Sequence, residues 1–194
     1  HAIEPEAPNA AEARAKGHDV ETGYFPDDLA SRGPYDLVVF NDVFEHLPDP
    51  VAAIRAVEAL LAPGGRAVLN LPSSDGALYR IATMLDRLGY GEPLERLWQK
   101  GLPSPHVSYF NPRNLEALAQ RTTQLRRTDL FPLTTVRREG LRARVKSVNR
   151  GPIGEVLLAG AWVFSFVARW LPADIMVLVL TRDASVAAAP GTRG

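Results

Sequence analysis

The chain has no cysteine, which excludes a disulfide framework and a cysteine-based zinc site alike. It has no net charge, with 22 Lys and Arg against 22 Asp and Glu. Its most apolar run, Val156 to Ala168, is 13 residues long and is bracketed by Glu155 and Arg169. A membrane span needs about 20 such residues, so a full crossing is not expected. No internal repeat and no secretory signal are visible, and a cytoplasmic setting is the default expectation. What is present is enough apolar material for one globular domain with a sizeable core: 194 residues, 46% of them hydrophobic.

The zero charge sum hides an uneven spread. His1 to Leu60 holds 12 acidic and 4 basic residues, whereas Arg113 to Arg150 holds 3 and 10. Arg126, Arg127, Arg137, Arg138, Arg142, Arg144, Lys146 and Arg150 make either a solvated face or a surface for an anionic substrate or lipid headgroups. Nucleic acid is not expected as a partner, because no aromatic residues interleave these arginines as a stacking platform would require.

The richest stretch runs from Tyr35 to Pro72. A buried strand, Asp36 to Phe40, ends in the polar cluster Asn41, Asp42, Glu45 and His46. Pro48 and Pro50 punctuate the loop, a helix follows from about Val51 to Leu61, and Pro63-Gly64-Gly65 turns into a second buried strand, Arg66 to Leu71. In parallel α/β sheets, ligands bind at the carboxyl ends of the strands, which is where this cluster falls.

The other expected elements are an Ala-rich helix from Asn9 to Lys16 ended by Gly17, and short strands at Ile3-Glu4 and Asp19 to Thr22. A helical turn is expected at Asp27 to Ser31. Residues 73–105 form an insertion with two short helices, about Gly76 to Leu88 and Pro93 to Gln99. Asn111 caps a helix that starts at Pro112 and runs to about Arg121. A strand at Arg127 to Leu133, a basic helical stretch at Glu139 to Val148, an apolar helix at 153–171 and a strand at Asp174 to Thr181 complete the domain, 1–183. Residues 184–194 form an Ala/Gly/Pro-rich tail expected to be disordered.

The pattern Asp36, Asp42-Val43, Glu45-His46, Asp49-Pro50, then Leu61 and Pro63-Gly64-Gly65 resembles the class I S-adenosylmethionine-dependent methyltransferases. The resemblance implies an α/β, Rossmann-like methyltransferase fold, mostly parallel with an antiparallel last strand. It implies S-adenosylmethionine as cofactor and methyl transfer as the reaction. The family's first strand and its glycine-rich loop have no counterpart, so the fold is expected to be N-terminally truncated, those elements lying upstream.

By the same resemblance Glu4 stands where a carboxylate takes the ribose hydroxyls, accepting two hydrogen bonds. Tyr24 and Phe25 stand where residues pack on the adenine, although a core role serves Phe25 as well. Asn41 and Asp42 would face the methionine part of the cofactor. His46 is a candidate general base for an O-methylation, or an anchor for its loop. His106 and Tyr109, in the segment HVSYFNP, are candidates for the acceptor pocket, or anchors of that loop. A divalent cation on Asp42, Glu45 and His46, as in some quinone-ring O-methyltransferases, is a further reading, but no metal site is assigned.

The expected function is therefore methyl transfer from S-adenosylmethionine to a small-molecule, lipid-linked or glycan acceptor. Two alternatives stand beside it. The missing glycine loop favours a non-catalytic methyltransferase-like binding module. The apolar helix, with Trp162 and Trp170, favours peripheral membrane contact.

Overall fold

The computed structural model describes residues 1–29, 33–133, 142, 151, 155, 158–160, 162 and 170–184. The expected basic helical stretch and apolar helix lie almost entirely outside the described residues, and the tail beyond Ala184 lies wholly outside them.

In chain order come β1 (Ala2–Glu4), α1 (Ala7–Ala15), β2 (Val20–Thr22), β3 (Tyr35–Asn41), α2 (Pro50–Leu60) and β4 (Leu61–Pro72). Then follow α3 (Ala77–Arg87), α4 (Glu92–Leu97), α5 (Pro112–Thr122), β5 (Arg126–Leu133) and β6 (Ile175–Thr181). Single 3-10 turns sit at Asp27–Leu29 and Phe44–His46.

β1 and β2 pair in parallel as one two-stranded sheet. The second sheet has the order β3-β4-β6-β5. β3 and β4 run parallel, and β6 runs antiparallel to both β4 and β5. The last strand is thus inserted antiparallel into a sheet whose other members point one way, as the resemblance implies. β6 reads IMVLVLT, and Leu178 and Leu180 are fully buried between strands on both sides. Such a near-continuous apolar run is the mark of a strand with both faces covered.

α2 forms because Asp49 accepts hydrogen bonds from the Val51 and Ala52 N–H groups, each at 2.9 Å, and Pro50 pre-sets the first turn. Its Ile54 and Val57 enter the core. α5 carries a reciprocal cap: Asn111 and Asn114 each accept from the other's backbone N–H, at 2.9 and 2.8 Å. It buries Leu115 and Ala119 against α2 and the sheet.

The strand after α2 starts earlier than the sequence suggests. Leu61 already pairs with Tyr35, and Arg66 with Leu37, so Ala62 to Gly65 bulge out opposite Asp36. Gly64 adopts φ 79°, and a side chain on Gly65 would meet the Tyr35 carbonyl at 2.8 Å. The Gly64 N–H donates to the Arg182 carbonyl and the Arg182 N–H to that of Gly65. The Pro-Gly-Gly segment is therefore a bulge stitched to the end of β6, not a free turn.

Among the described residues no strand lies between β1 and β3. A cavity of about 210 Å³ separates them, lined by Ile3 on one side and by Leu37, Val39 and Val43 on the other. Leu37 and Val39 are each 56% exposed, so β3, expected as a buried strand, has one face open.

Candidate active site

The tip of β3 is held by hydrogen bonds to β4. Asn70 donates to the Asn41 side-chain carbonyl at 2.6 Å, and the Asp42 N–H donates to the Asn70 carbonyl at 2.9 Å. Asp42 has φ 53°, a left-handed conformation that Asp tolerates better than most residues. That reversal ends the strand and throws the chain into the Phe44–His46 turn. Phe44 is buried, edge-on to Phe40 at 5.7 Å and tilted on Phe110 at 5.7 Å. It anchors the turn, so Glu45 and His46 project from a fixed point.

The turn is also tied to the segment after α4. The Glu45 carbonyl accepts from Val107 N–H at 3.0 Å and Ser108 N–H at 3.1 Å. The His46 Nδ1 lies 3.0 Å from the Pro105 carbonyl and 3.2 Å from Ser104 Oγ. A carbonyl oxygen only accepts, so Nδ1 carries a hydrogen, and in the neutral ring the lone pair is on Nε2. His106 meets His46 edge-on, ring centroids 4.7 Å apart. The His106 Nε2 lies 2.9 Å from Gln99 Nε2, and the His106 backbone N–H donates to the Trp98 carbonyl at 3.1 Å. Tyr109 packs on Tyr79 at 4.5 Å, on Trp98 at 5.2 Å and on His106 at 5.5 Å.

Burial dominates the electrostatics here. Glu45 is 1% exposed, and its removal from water pushes its pKa above the ordinary 4.5. Burial, then the neighbouring His46, pushes the His106 pKa below 6.5. Burial, then Tyr79, pushes the Tyr109 phenol up to about 12. His106 Nδ1 and Glu45 Oε2 are buried with no hydrogen-bond partner. Such orphans are rare in folded proteins. Glu45, His46 and His106 each bring a ligand-type atom within 4.8 Å of the others. A divalent ion would find Glu45 and two imidazoles here, with His106 in the position the sequence suggested for Asp42.

On the other side of His46 lies a cleft of about 720 Å³, inside the usual range for cofactor sites. Glu4, Tyr24, Phe25, Asp42 and His46 all line it. Glu4 turns one carboxylate oxygen to the Glu6 N–H at 3.0 Å, and its other oxygen is available to a ribose hydroxyl. Tyr24 is 67% exposed and offers a flat face to an adenine. Phe25 packs edge-on against Phe40 at 5.0 Å, so it serves the core and the cleft wall together. Size, carboxylate and aromatic face fit S-adenosylmethionine.

Seven of the eight residues singled out in the sequence flank the cleft or the histidine pair. Asn41 does not line the cleft; its side chain is taken by Asn70. Tyr109 is half-buried among rings and lines neither the cleft nor the cavity beside His106. Gln99, Ser104 and Pro105, which hold the two histidines, carry no signal along the chain. Their partners are up to 59 residues away, and no spacing rule announces such pairs. Gln99 has φ 51°, a constraint visible only in the backbone.

A family profile described as "Methyltransferase domain" matches residues 1–122. The sequence is 34% identical over 112 residues to the ubiquinone biosynthesis O-methyltransferase of Xanthomonas euvesicatoria, covering 53% of this chain and 44% of that protein. It is 33% identical over 106 residues to the same enzyme of Xanthomonas campestris, covering 54% and 41%. The chain thus spans less than half the length of these relatives.

Among solved structures, a putative sarcosine dimethylglycine methyltransferase from Galdieria sulphuraria has a TM-score of 0.55 at 15% identity, covering 94% of this chain and 69% of that one. The cyclopropane synthase MmaA2 from Mycobacterium tuberculosis has a TM-score of 0.58 at 14% identity, covering 93% and 68%. The fold is the Rossmann-like methyltransferase fold. The chain belongs to the methyltransferase-domain family, of the class I kind that takes S-adenosylmethionine. Neighbours with such different names share the fold, so the fold leaves the acceptor open.

Proposed function

We propose that the protein transfers a methyl group from S-adenosylmethionine to a hydroxyl oxygen of a small acceptor, with His46 as the general base. The observation that carries this is the hydrogen bond from His46 Nδ1 to the Pro105 carbonyl, 3.0 Å. It fixes the tautomer in which Nε2 is free to take a proton, on a residue that lines the cleft. Relatives that are named O-methyltransferases support an oxygen acceptor.

When bound, the cofactor supplies a methyl already activated by the positive sulfonium, and its loss leaves a neutral thioether. The chain's own residues do the rest. Glu4 and Tyr24 would hold the adenosine end, and Asp42, at the strand tip, would face the methionine part. His46 Nε2 takes the hydroxyl proton as the new O–C bond forms and the S–C bond breaks. The Ser104-Pro105 strap fixes the imidazole, so that little reorganisation remains for the reaction itself.

Radiolabelled methyl from S-adenosylmethionine, offered with a panel of phenols, catechols and arylamines, tests this. Label on phenolic or catechol oxygen, lost in His46→Ala, is the expected result. Label on arylamine nitrogen alone, or a His46→Ala protein as fast as wild type, would contradict it.

Among the described residues no helix is long and apolar enough to cross a membrane.

A further inference from the structure

Residues 73–109 lie over the core as a layer. Among the described residues, the core cluster takes Leu71 and Phe110 but no residue between them. α3 buries only Ala77 and Ala82, and α4 buries none of its residues. Leu78, Ile81 and Met84 of α3 are exposed. The layer is joined chiefly within itself. Tyr109 packs on Tyr79 of α3 and on Trp98 at the end of α4, and the His106 N–H donates to the Trp98 carbonyl. A cavity of about 330 Å³ is lined by residues of this layer, Leu94, Trp98, Pro105 and His106 among them. Such a void costs its lining the contacts that close packing would supply.

The two roots of the layer meet at one point: the Ser74 N–H donates to the Phe110 carbonyl at 2.7 Å, and Ser73 bridges to Phe110. Away from these roots, two sets of bonds fasten it. At the α3 end, the Leu78 N–H donates to Asp174 Oδ1 at 2.7 Å and the Ala77 N–H to the Pro172 carbonyl at 3.2 Å. At the other end, the Val107 and Ser108 N–H groups donate to the Glu45 carbonyl, and the Pro105 carbonyl accepts from His46 Nδ1. A region with little buried apolar surface, held by a few such bonds, opens at a lower free energy than the core beneath it.

We propose that residues 75–109 are a flap that opens as one unit about the Ser74–Phe110 bond, and that a ligand in the cleft closes it and so fixes His46. The proposal rests on the methyl-transfer reading above and adds a conformational step to it. When the flap opens, His46 Nδ1 loses the Pro105 carbonyl and Ser104 Oγ together. With them goes the constraint that leaves the lone pair on Nε2. Ser104 also lines the cleft, so a ligand there touches the closed flap and not the open one. That is the differential contact a population shift requires.

The test is amide hydrogen exchange on the full chain, with the Val107 and Ser108 amides reporting the flap and those of α5 the core. In the free protein, Val107 and Ser108 are expected to exchange at least about tenfold faster than the slowest α5 amides. Asp174→Ala removes the Leu78 bond from outside the flap. It is expected to speed Val107 and Ser108 by about fivefold, the same factor as in the middle of α3. Asp174→Asn keeps an Oδ1 acceptor and should leave both near wild type. A melting curve establishes that each variant folds.

Saturating S-adenosylhomocysteine is expected to slow exchange at Val107 and Ser108 by about fivefold or more. Equal exchange in flap and α5 in the free protein, or an Asp174→Ala effect confined to α3, would overturn the proposal. So would S-adenosylhomocysteine that binds by calorimetry and leaves Val107 and Ser108 unchanged. A flap that opens as one unit in a protein unable to bind S-adenosylhomocysteine would sustain the flap and sink the methyl-transfer reading instead.

Discussion

The two sides of His46 are built on opposite physical terms. The cleft assigned above to the donor carries Glu4 and Asp42 at strand tips and a Tyr24 that is 67% exposed. On the other side of His46 the polar groups are buried: Glu45 is 1% exposed, Tyr109 sits among three rings, and His106 Nδ1 and Glu45 Oε2 lack partners. Carboxylates and a ring face suit a ligand that is recognised by hydrogen bonds and stacking. Burial suits proton transfer, because each charge and dipole acts more strongly where water is excluded. One turn, Phe44–His46, serves both sides, and Phe44 is what keeps it in place.

The sharpest way to break that division is at His46. His46→Ala is expected to slow methyl transfer by about a hundredfold to ten-thousandfold, the usual worth of a positioned base, while S-adenosylhomocysteine still binds. A stopped assay with either ligand and equal loss of both would show that the residue only holds the loop.

Phe44→Ala strikes the shared support. Its ring is fully buried between Phe40 and Phe110, so denaturant unfolding should show a loss of about 3–5 kcal/mol. Both sites should weaken together, unlike in any variant confined to one side.

Glu4→Ala touches the donor side alone. It removes a charged acceptor of hydrogen bonds, worth about 1.5–3 kcal/mol, so S-adenosylhomocysteine should bind about ten to a hundred times more weakly. Thermal unfolding of the ligand-free protein should barely move, since Glu4 lies at the edge of the small sheet.

pH separates the sides more finely. The His106 pKa lies below 6.5 in the folded protein because burial disfavours its charged form. As pH falls through 6.5, the unfolded chain takes up the proton before the folded one does. His106 thus contributes stability above that pH which is lost toward its lower folded pKa. His106→Gln should show a shallower fall in Tm over this window than wild type, measured calorimetrically across a pH series. An unchanged slope would mean that His106 is not desolvated as described.

The smallest effect expected is that of Asn111→Ala, which removes one arm of the α5 capping box and should cost about 1 kcal/mol. It should leave both ligand sites intact.

The sequence carried the donor side further than the acceptor side, for a physical reason. Strand tips, the Asn111 cap and the apolar run of β6 are set by local chemistry, and neighbours along the chain reveal them. Helices α3 and α4 lie within a few residues of the two short helices expected in the insertion. The bulge at Ala62–Gly65 was not, because it depends on Arg182 at the end of β6. The strap over His46 was not either: Pro105 and Ser104 act through a main-chain carbonyl and a hydroxyl, groups that no side-chain pattern distinguishes. His106 and Tyr109 were visible as residues, but the pairing of His106 with Gln99 was not. Asn41 was visible as a polar tip, but its engagement by Asn70 is a property of the parallel register of β3 and β4.

The central claim is that ligand binding and proton transfer are divided between the two sides of His46. Calorimetric titration of S-adenosylhomocysteine into wild type, Glu4→Ala and His46→Ala tests it most directly. Stoichiometric binding by wild type and His46→Ala, with clear weakening in Glu4→Ala alone, is the result expected. No binding by the folded wild type, or equal weakening in both variants, would contradict it.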